Sequence, residues 1–483
     1  FELKPYGLGS IEKAANDKSN YKGKIGADLN VNLTPTLKLD LTTNTDFAQV
    51  EADRIAVNLS RFNLYYPEKR EFFLEGYQNF QFSLGNGNQL FYTRRIGIDS
   101  FRSVPIIAGA RMFGKIGKNN IGLLDIQTGG NDFTSSTNNG VFRYKRDIGS
   151  QQSYIGGIFT SKVNNDISNH VAGVDGAYST SRFLKNKNLV IAGLVAESFD
   201  NKTPSKNNYA WRFYIDYPND LIDHFIGVSG LGQNFNPALG FLERNNFESF
   251  TWNMRYYPRW FTKYGIRRMA LKPWEFTAYR TATTGELESF ANESRPLGFF
   301  TKSGESFEFN LQQIYDRVDH PFYLTPHDSI GVGKYWMYRQ EFQLSSFQAR
   351  KIWGAVVYKW GGFYGGKINS LETSIGINVD EHLNFRTDYN YNHVDLVNGV
   401  VRTNELAEYI NYAFNPNLDF SFFVQWNSLD DFMLGNFRFH WIPKPGKDLF
   451  IVYNRGYNQL DRFKFSEPTS SVGAAKLVWR FVF

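Results

Sequence analysis

The sequence predicts an all-β fold, a single large antiparallel β-barrel that crosses a membrane. Three observations carry this prediction. Aromatic residues make up 17% of the 483 residues, with 45 Phe, 28 Tyr and 10 Trp, yet the mean hydropathy is only −0.41. Apolar and polar residues alternate from one end of the chain to the other, in runs of roughly 9–13 residues that suit a tilted membrane-spanning strand. The connections between runs alternate between tight and long near the C-terminus. A strand with one face to lipid and the other to a wet lumen is polar on average and still rich in aromatics.

The runs are explicit. Ile25, Ala27, Leu29, Val31 and Leu33 interleave with Gly26, Asp28, Asn30 and Asn32. Leu371, Thr373, Ile375, Ile377 and Val379 alternate with Glu372, Ser374, Gly376 and Asn378. Phe420, Phe422, Val424 and Trp426 oppose Asp419, Ser421, Gln425 and Asn427, with Phe423 expected to point inward. Successive side chains of a strand point to opposite faces, so each run has an apolar and a polar side. The tight connections fall at 378–383, 414–418 and 443–448, and longer ones at 317–334 and 457–472. Outer-membrane barrels pair short periplasmic turns with long outer loops in this rhythm, and the spacing predicts about 24 strands within a range of about 22–26. Residues 22–483 are expected to form the barrel, with 1–21 as a junction or linker leading into it.

Composition excludes other classes. No run approaches the ~18 apolar residues of a membrane helix, and the aromatic content excludes disorder. A propeller would repeat every ~40–50 residues, and no such repeat is present. A soluble sandwich would carry more Lys and Glu on its exposed faces than the Asn, Gly, Ser, Thr and Asp seen here. Cysteine is absent, which removes thiol catalysis, disulfides and thiolate metal sites. The net charge of +6 is scattered and forms no basic stripe, so no nucleic-acid partner is expected. The chain opens on Phe1 without a Met or signal peptide and reads as a mature or truncated product.

In the last strand, Leu477, Trp479, Phe481 and Phe483 share one face and end on an aromatic. This resembles the assembly signal of outer-membrane proteins, which implies the bacterial outer membrane as location and the barrel assembly machinery and outer-membrane lipids as partners.

One segment breaks the alternation. Residues 46–88 carry the acids Asp46, Glu51, Asp53, Glu68, Glu71 and Glu75 and the bases Arg54, Arg61, Lys69 and Arg70. A long insertion in a compact fold is usually functional, and a barrel of this size encloses a lumen too wide for wall side chains to fill. The segment is therefore expected to fold into the lumen, or across its periplasmic mouth, as a plug. Arg94, Arg95 and Arg102 are the expected wall partners of its acids.

The same region carries a family resemblance. Asp46-Phe47-Ala48-Gln49-Val50-Glu51-Ala52-Asp53, Val57-Asn58-Leu59, Pro67-Glu68-Lys69-Arg70, Phe72-Phe73-Leu74-Glu75-Gly76 and Tyr92-Thr93-Arg94-Arg95-Ile96-Gly97 together resemble an uncharacterised outer-membrane family of Bacteroidota. Members join a carbohydrate-binding family-9-like module to a barrel domain of unknown function. That module is missing here, and some relatives are labelled membrane-associated hydrolases. The resemblance implies no catalytic residues.

Nor do the residues themselves point to an enzyme. Glu68 and Glu71 are close in sequence, but Lys69 and Arg70 beside them offer salt bridges. The seven His are dispersed, with no zinc-type pair. The surface aromatics Trp252, Trp336, Trp353 and Trp441 read as an interfacial girdle. The expectation is a non-enzymatic, cofactor-free and metal-free barrel: a plugged or gated pore for a polar solute or polymer, saccharide-related if the resemblance is followed. The alternative is a structural scaffold with lipoprotein partners.

Overall fold

A computed structural model of the chain describes all residues except 16–17, 48–52, 100–101, 131–133, 150–151 and 459–467. The alternating runs form one closed antiparallel sheet of 24 wall strands. The shortest is Leu37–Thr43 and the longest Gly399–Asn415. Two wall strands are interrupted: Ile266–Met269 continues as Leu271–Thr281, and Ser470–Trp479 continues as Phe481–Val482. Neighbours in sequence pair with one another, and the ring closes where Glu2–Ala14 pairs with Ser470–Trp479, from Tyr6↔Val478 to Ala14↔Ser470. Closure removes the sheet edges, so backbone N–H and C=O groups are satisfied between strands, as hydrocarbon requires.

The first strand corrects the expectation that 1–21 is a linker. Glu2–Ala14 is a full wall strand, paired on its other side with Asn20–Thr34. Its pattern is inverted, and that hid it. Tyr6 and Leu8 are buried on the inner face, whereas Gly7 and Gly9 stand on the outer one.

Register fixes which face is which. Along Leu418–Asn427, Phe420 and Phe422 are exposed on the outside while Gln425 and Asn427 are buried inside. Phe423 does turn inward, only 2% exposed, and stacks on Tyr409 at 4.6 Å. Ile25, 80% exposed, shows the same outward apolar face at the other end of the chain. Trp353 departs from the girdle reading: it pairs with Gly376 on the inner face and its ring covers that glycine.

The two ends of the barrel differ. Turns 35–36, 117–118, 416–417 and 445–446 lie at the end that also holds both chain termini, where the Phe1 amine donates to Phe483 O at 3.3 Å. Connections 44–105, 232–246 and 319–332 lie at the other end, although 364–365 and 397–398 there are tight. Short turns mark the periplasmic side, so the long connections face outward. The long connection expected at 457–472 falls partly outside the described residues.

Candidate functional site

The chain leaves the wall after Thr43 and returns at Ile106. Asn44 N–H donates to Ile107 O at 2.7 Å, so departure and return are side by side. The inserted segment is therefore longer than 46–88. Arg94 and Arg95 lie within it, in the short helical turn Thr93–Arg95, and not on a facing wall strand as expected. The reason is local. Tyr92 N–H donates to Leu239 O, and Arg95 Nε to Gly240 O at 3.0 Å, so the outer connection 232–246 holds this stretch in place of a strand.

Polar bonds tie the segment to inner-face residues around the ring. Asp46 pairs with Lys24 at 3.3 Å and accepts through its backbone from Lys476. Gln425 accepts from Ile55 N–H and donates to Asp53 O, and Glu405 accepts from Val57 N–H at 2.7 Å. Arg54 pairs with the buried Asp388, and Arg61 bridges Glu288 and Asp316, each at 2.9 Å. Glu75 receives Lys38 at 2.7 Å, while Arg111 donates to its carbonyl. Arg143 donates to Gln81 O, and Asn86 to Ser249. These partners stand on strands from Asn20–Thr34 through Ser306–Val318 to Ser470–Trp479, on opposite sides of the barrel. A chain bonded to all of them crosses the lumen.

One half of the contact is apolar. Phe73, Phe80, Phe82, Leu84, Leu90, Phe91 and Ile96 of the segment pack on Phe113, Leu124, Ile126, Val141, Ile158, Val171 and Phe247 of the wall. Gly76 makes the turn at the foot of this core, with φ of 69° and the Phe113 ring where a side chain would stand. Sequence reasoning missed this core because it took the segment's charges as its whole character. The signal was present along 121–126, where Leu124 and Ile126 put apolar side chains on the inner face as Ile121 and Leu123 do on the outer one.

The segment's own charges form a clasp. Arg70, 4% exposed, donates to both Glu68 oxygens and to Ile96 O and Thr93 O at 2.7 and 2.9 Å. Thr93 Oγ1 also donates to Glu68. Asp53 pairs with Arg94 and, at 3.9 Å, with Lys69. Glu71 is exposed and acidic in the first turn of the short helix Glu71–Leu74. Glu51, and the side chain of Arg102, lie outside the described residues. Both Glu68 oxygens are engaged, so it is not poised as one of a catalytic carboxylate pair.

Burial pushes the Glu68 carboxyl up, but the Arg70 and Thr93 hydrogen bonds outweigh this and hold it below its ordinary value. A depressed folded pKa adds stability that is complete above the unfolded value and is lost as pH falls through the folded one. Protease resistance of the segment in the assembled barrel is therefore expected to hold at neutral pH and to fail well below pH ~4. Loss of resistance on raising pH from neutral would contradict it.

Above the segment lies a cup of about 580 Å³, lined by Arg94, Arg95 and Tyr66 from the segment and by Asn139 and Lys162 from the wall. Its rim includes Thr128, Thr137 and Asn164, at strand ends on the outer side. Outer connections also fold inward. Phe235 and Leu239 join the large core, Phe241 is buried against the Tyr65 and Tyr92 rings, and Leu324 and Ile330 belong to a second cluster that meets Leu59. At the seam, Leu477, Trp479, Phe481 and Phe483 are all exposed.

A closed barrel of this size, apolar outside and polar within, is an outer-membrane β-barrel protein. Residues 1–109 match a family described as a domain of unknown function, DUF5916. That stretch holds the first three strands, the inserted segment and its return to the wall. No curated protein matches the chain by sequence. Among solved structures, the siderophore receptor PirA from Pseudomonas aeruginosa is similar at 8% identity and a TM-score of 0.49, over 99% of this chain and 80% of that one. The FrpB iron transporter from Neisseria meningitidis is similar at 9% identity and a TM-score of 0.39, over 100% and 82%. At these scores the likeness carries no argument, and the fold rests on the strand pairing itself.

Proposed function

We propose that the protein is a transport pore for a polar solute or polymer, closed by residues 44–105. The observation that supports this reading is the bonding of the segment to inner-face residues on opposite sides of the lumen, Lys24 and Lys476 on one side and Glu288 and Asp316 on the other. A wide barrel without such a segment would leak. The resemblance to a Bacteroidota family with a carbohydrate-binding-like module favours a saccharide as the solute. The exposed aromatic face of the last strand suits recognition by the assembly machinery.

The test removes the far-wall tethers. A barrel carrying Arg54→Gln and Arg61→Gln is expected to show flickering, salt-dependent openings in planar bilayers over a quiet parent. A parent that is already a steady wide conductor would remove the segment as the barrier. A parent and variant equally silent would favour a closed scaffold that docks envelope lipoproteins.

A further inference from the structure

We infer that the outward-facing cup binds a small polyhydroxylated anion, a sugar acid in preference to a neutral sugar. This names the solute class of the proposed pore and rests on that reading. At about 580 Å³ the cup falls within the ~300–1,000 Å³ of ordinary ligand pockets. Among the described residues its lining holds Arg94, Arg95 and Lys162 and no Asp or Glu, and Arg95 is the cation on which the inference turns. Asp53 neutralises Arg94. Arg95 spends only Nε, on Gly240 O, and no carboxylate among the described residues pairs with it. A concave surface lined by one sign of charge concentrates the opposite ion.

The remaining lining specifies more than charge. The exposed Asn63 brings an amide group suited to hydroxyls, on a wall that includes the edges of the Tyr92 and Phe241 rings, which meet edge-on at 5.6 Å. An aromatic wall with a few polar groups is how a site holds a ligand that is apolar on one face and polar at its edge. Inorganic anions would use the cations and leave the rings idle. The cup has strand ends of the outer side in its lining, so a solute arriving from outside meets this face of the inserted segment first.

The experiment is titration calorimetry on the purified full chain in detergent, with digalacturonate, maltose and inorganic phosphate as probes. Digalacturonate is expected to bind and to weaken as salt is raised, while maltose and phosphate bind at least tenfold more weakly. Arg95→Gln is expected to weaken digalacturonate tenfold or more. Because Arg95 also anchors the segment, Asn164→Asp serves as a second variant. Asn164 Oδ1 accepts from Asp166 and Ile167 N–H, a role Asp retains, so the change adds a negative charge at the rim with the turn intact. It is expected to weaken the same probe. Binding of maltose or phosphate as tight as that of digalacturonate, no binding of digalacturonate, or undiminished affinity in both variants would overturn the inference. The bilayer recording of the Arg54/Arg61 variant is independent. Openings there with an empty cup would spare the pore reading, and binding in a barrel that never opens would sink the pore reading alone.

Discussion

Replacing residues 46–98 with a short Gly-Ser linker is expected to convert the barrel into a wide, steadily open channel. The wall can tolerate the excision, because Asn44 and Ile107 are already hydrogen-bonded neighbours and a tight connection can join the two strands. Twenty-four strands enclose a lumen that wall side chains do not fill. With the segment gone, Lys24, Asp388, Glu405 and Asp316 would face water across an open passage. Planar-bilayer recordings should show a large, constant conductance, and cells should become sensitive to bulky antibiotics. The excision also has a cost. The segment's seven buried Phe, Leu and Ile side chains leave the core, each worth about 1.5–3 kcal/mol when fully buried. Ile126, Val141, Ile158 and Val171 are left wet, so the emptied barrel should lose its compact gel migration at a lower temperature. Assembly with no more conductance than the parent would show that the segment is not the barrier.

Arg70→Ala is expected to release the segment without unmaking the wall. The Arg70 guanidinium lies 4.2 Å from the Phe73 ring centre and is hydrogen-bonded to Glu68, Thr93 and Ile96. Truncation leaves a buried carboxylate without its cation and two carbonyls without their side-chain donor. Removing one partner of a buried ion pair typically costs about 3–5 kcal/mol. No wall strand includes Arg70, so heat-modifiable migration should persist while residues 60–98 become open to protease and brief conductances appear. Arg70→Lys should rescue only part of this, since an ammonium cannot span both Glu68 oxygens and two carbonyls with a planar fork. Parental protease resistance in Arg70→Ala would remove the clasp from the account.

The wall was legible in the sequence wherever its two faces differ in polarity. Period-two runs such as Ile25–Leu33 and Leu371–Val379 marked both strand and orientation, and even the exception at Phe423 could be read. Legibility failed where chemistry did not follow the lipid–water division. Glu2–Ala14 carries Gly outward and Tyr6 and Leu8 inward, against the usual sense. The strands that cradle the segment turn apolar side chains inward, because there the lumen is a packed core and not water. The charged residues of the segment could be found by composition, but their pairing could not. Arg94 and Arg95 lie close enough in sequence to the strand Ile106–Ile116 to pass for wall residues, since sequence proximity says nothing of the outer connection that holds them. The inward fold of Leu239, Phe241, Leu324 and Ile330 had a signal in apolar residues within loops, which by itself does not say what they cover.

The inserted segment is a loop whose two ends are stitched into adjacent strands, Leu37–Thr43 and Ile106–Ile116, on the outward side. If the segment is the barrier proposed above, a stopper built this way cannot be lost. Once displaced it stays within a tether's length of its seat, at a local concentration in the millimolar range typical of short linkers. Reclosure is then a first-order event with a lifetime set by the clasp and the core, independent of how many barrels the membrane holds. The interval for which such a barrel stands open becomes a property of one molecule, adjustable by single side chains such as Arg54, Arg61 and Arg70.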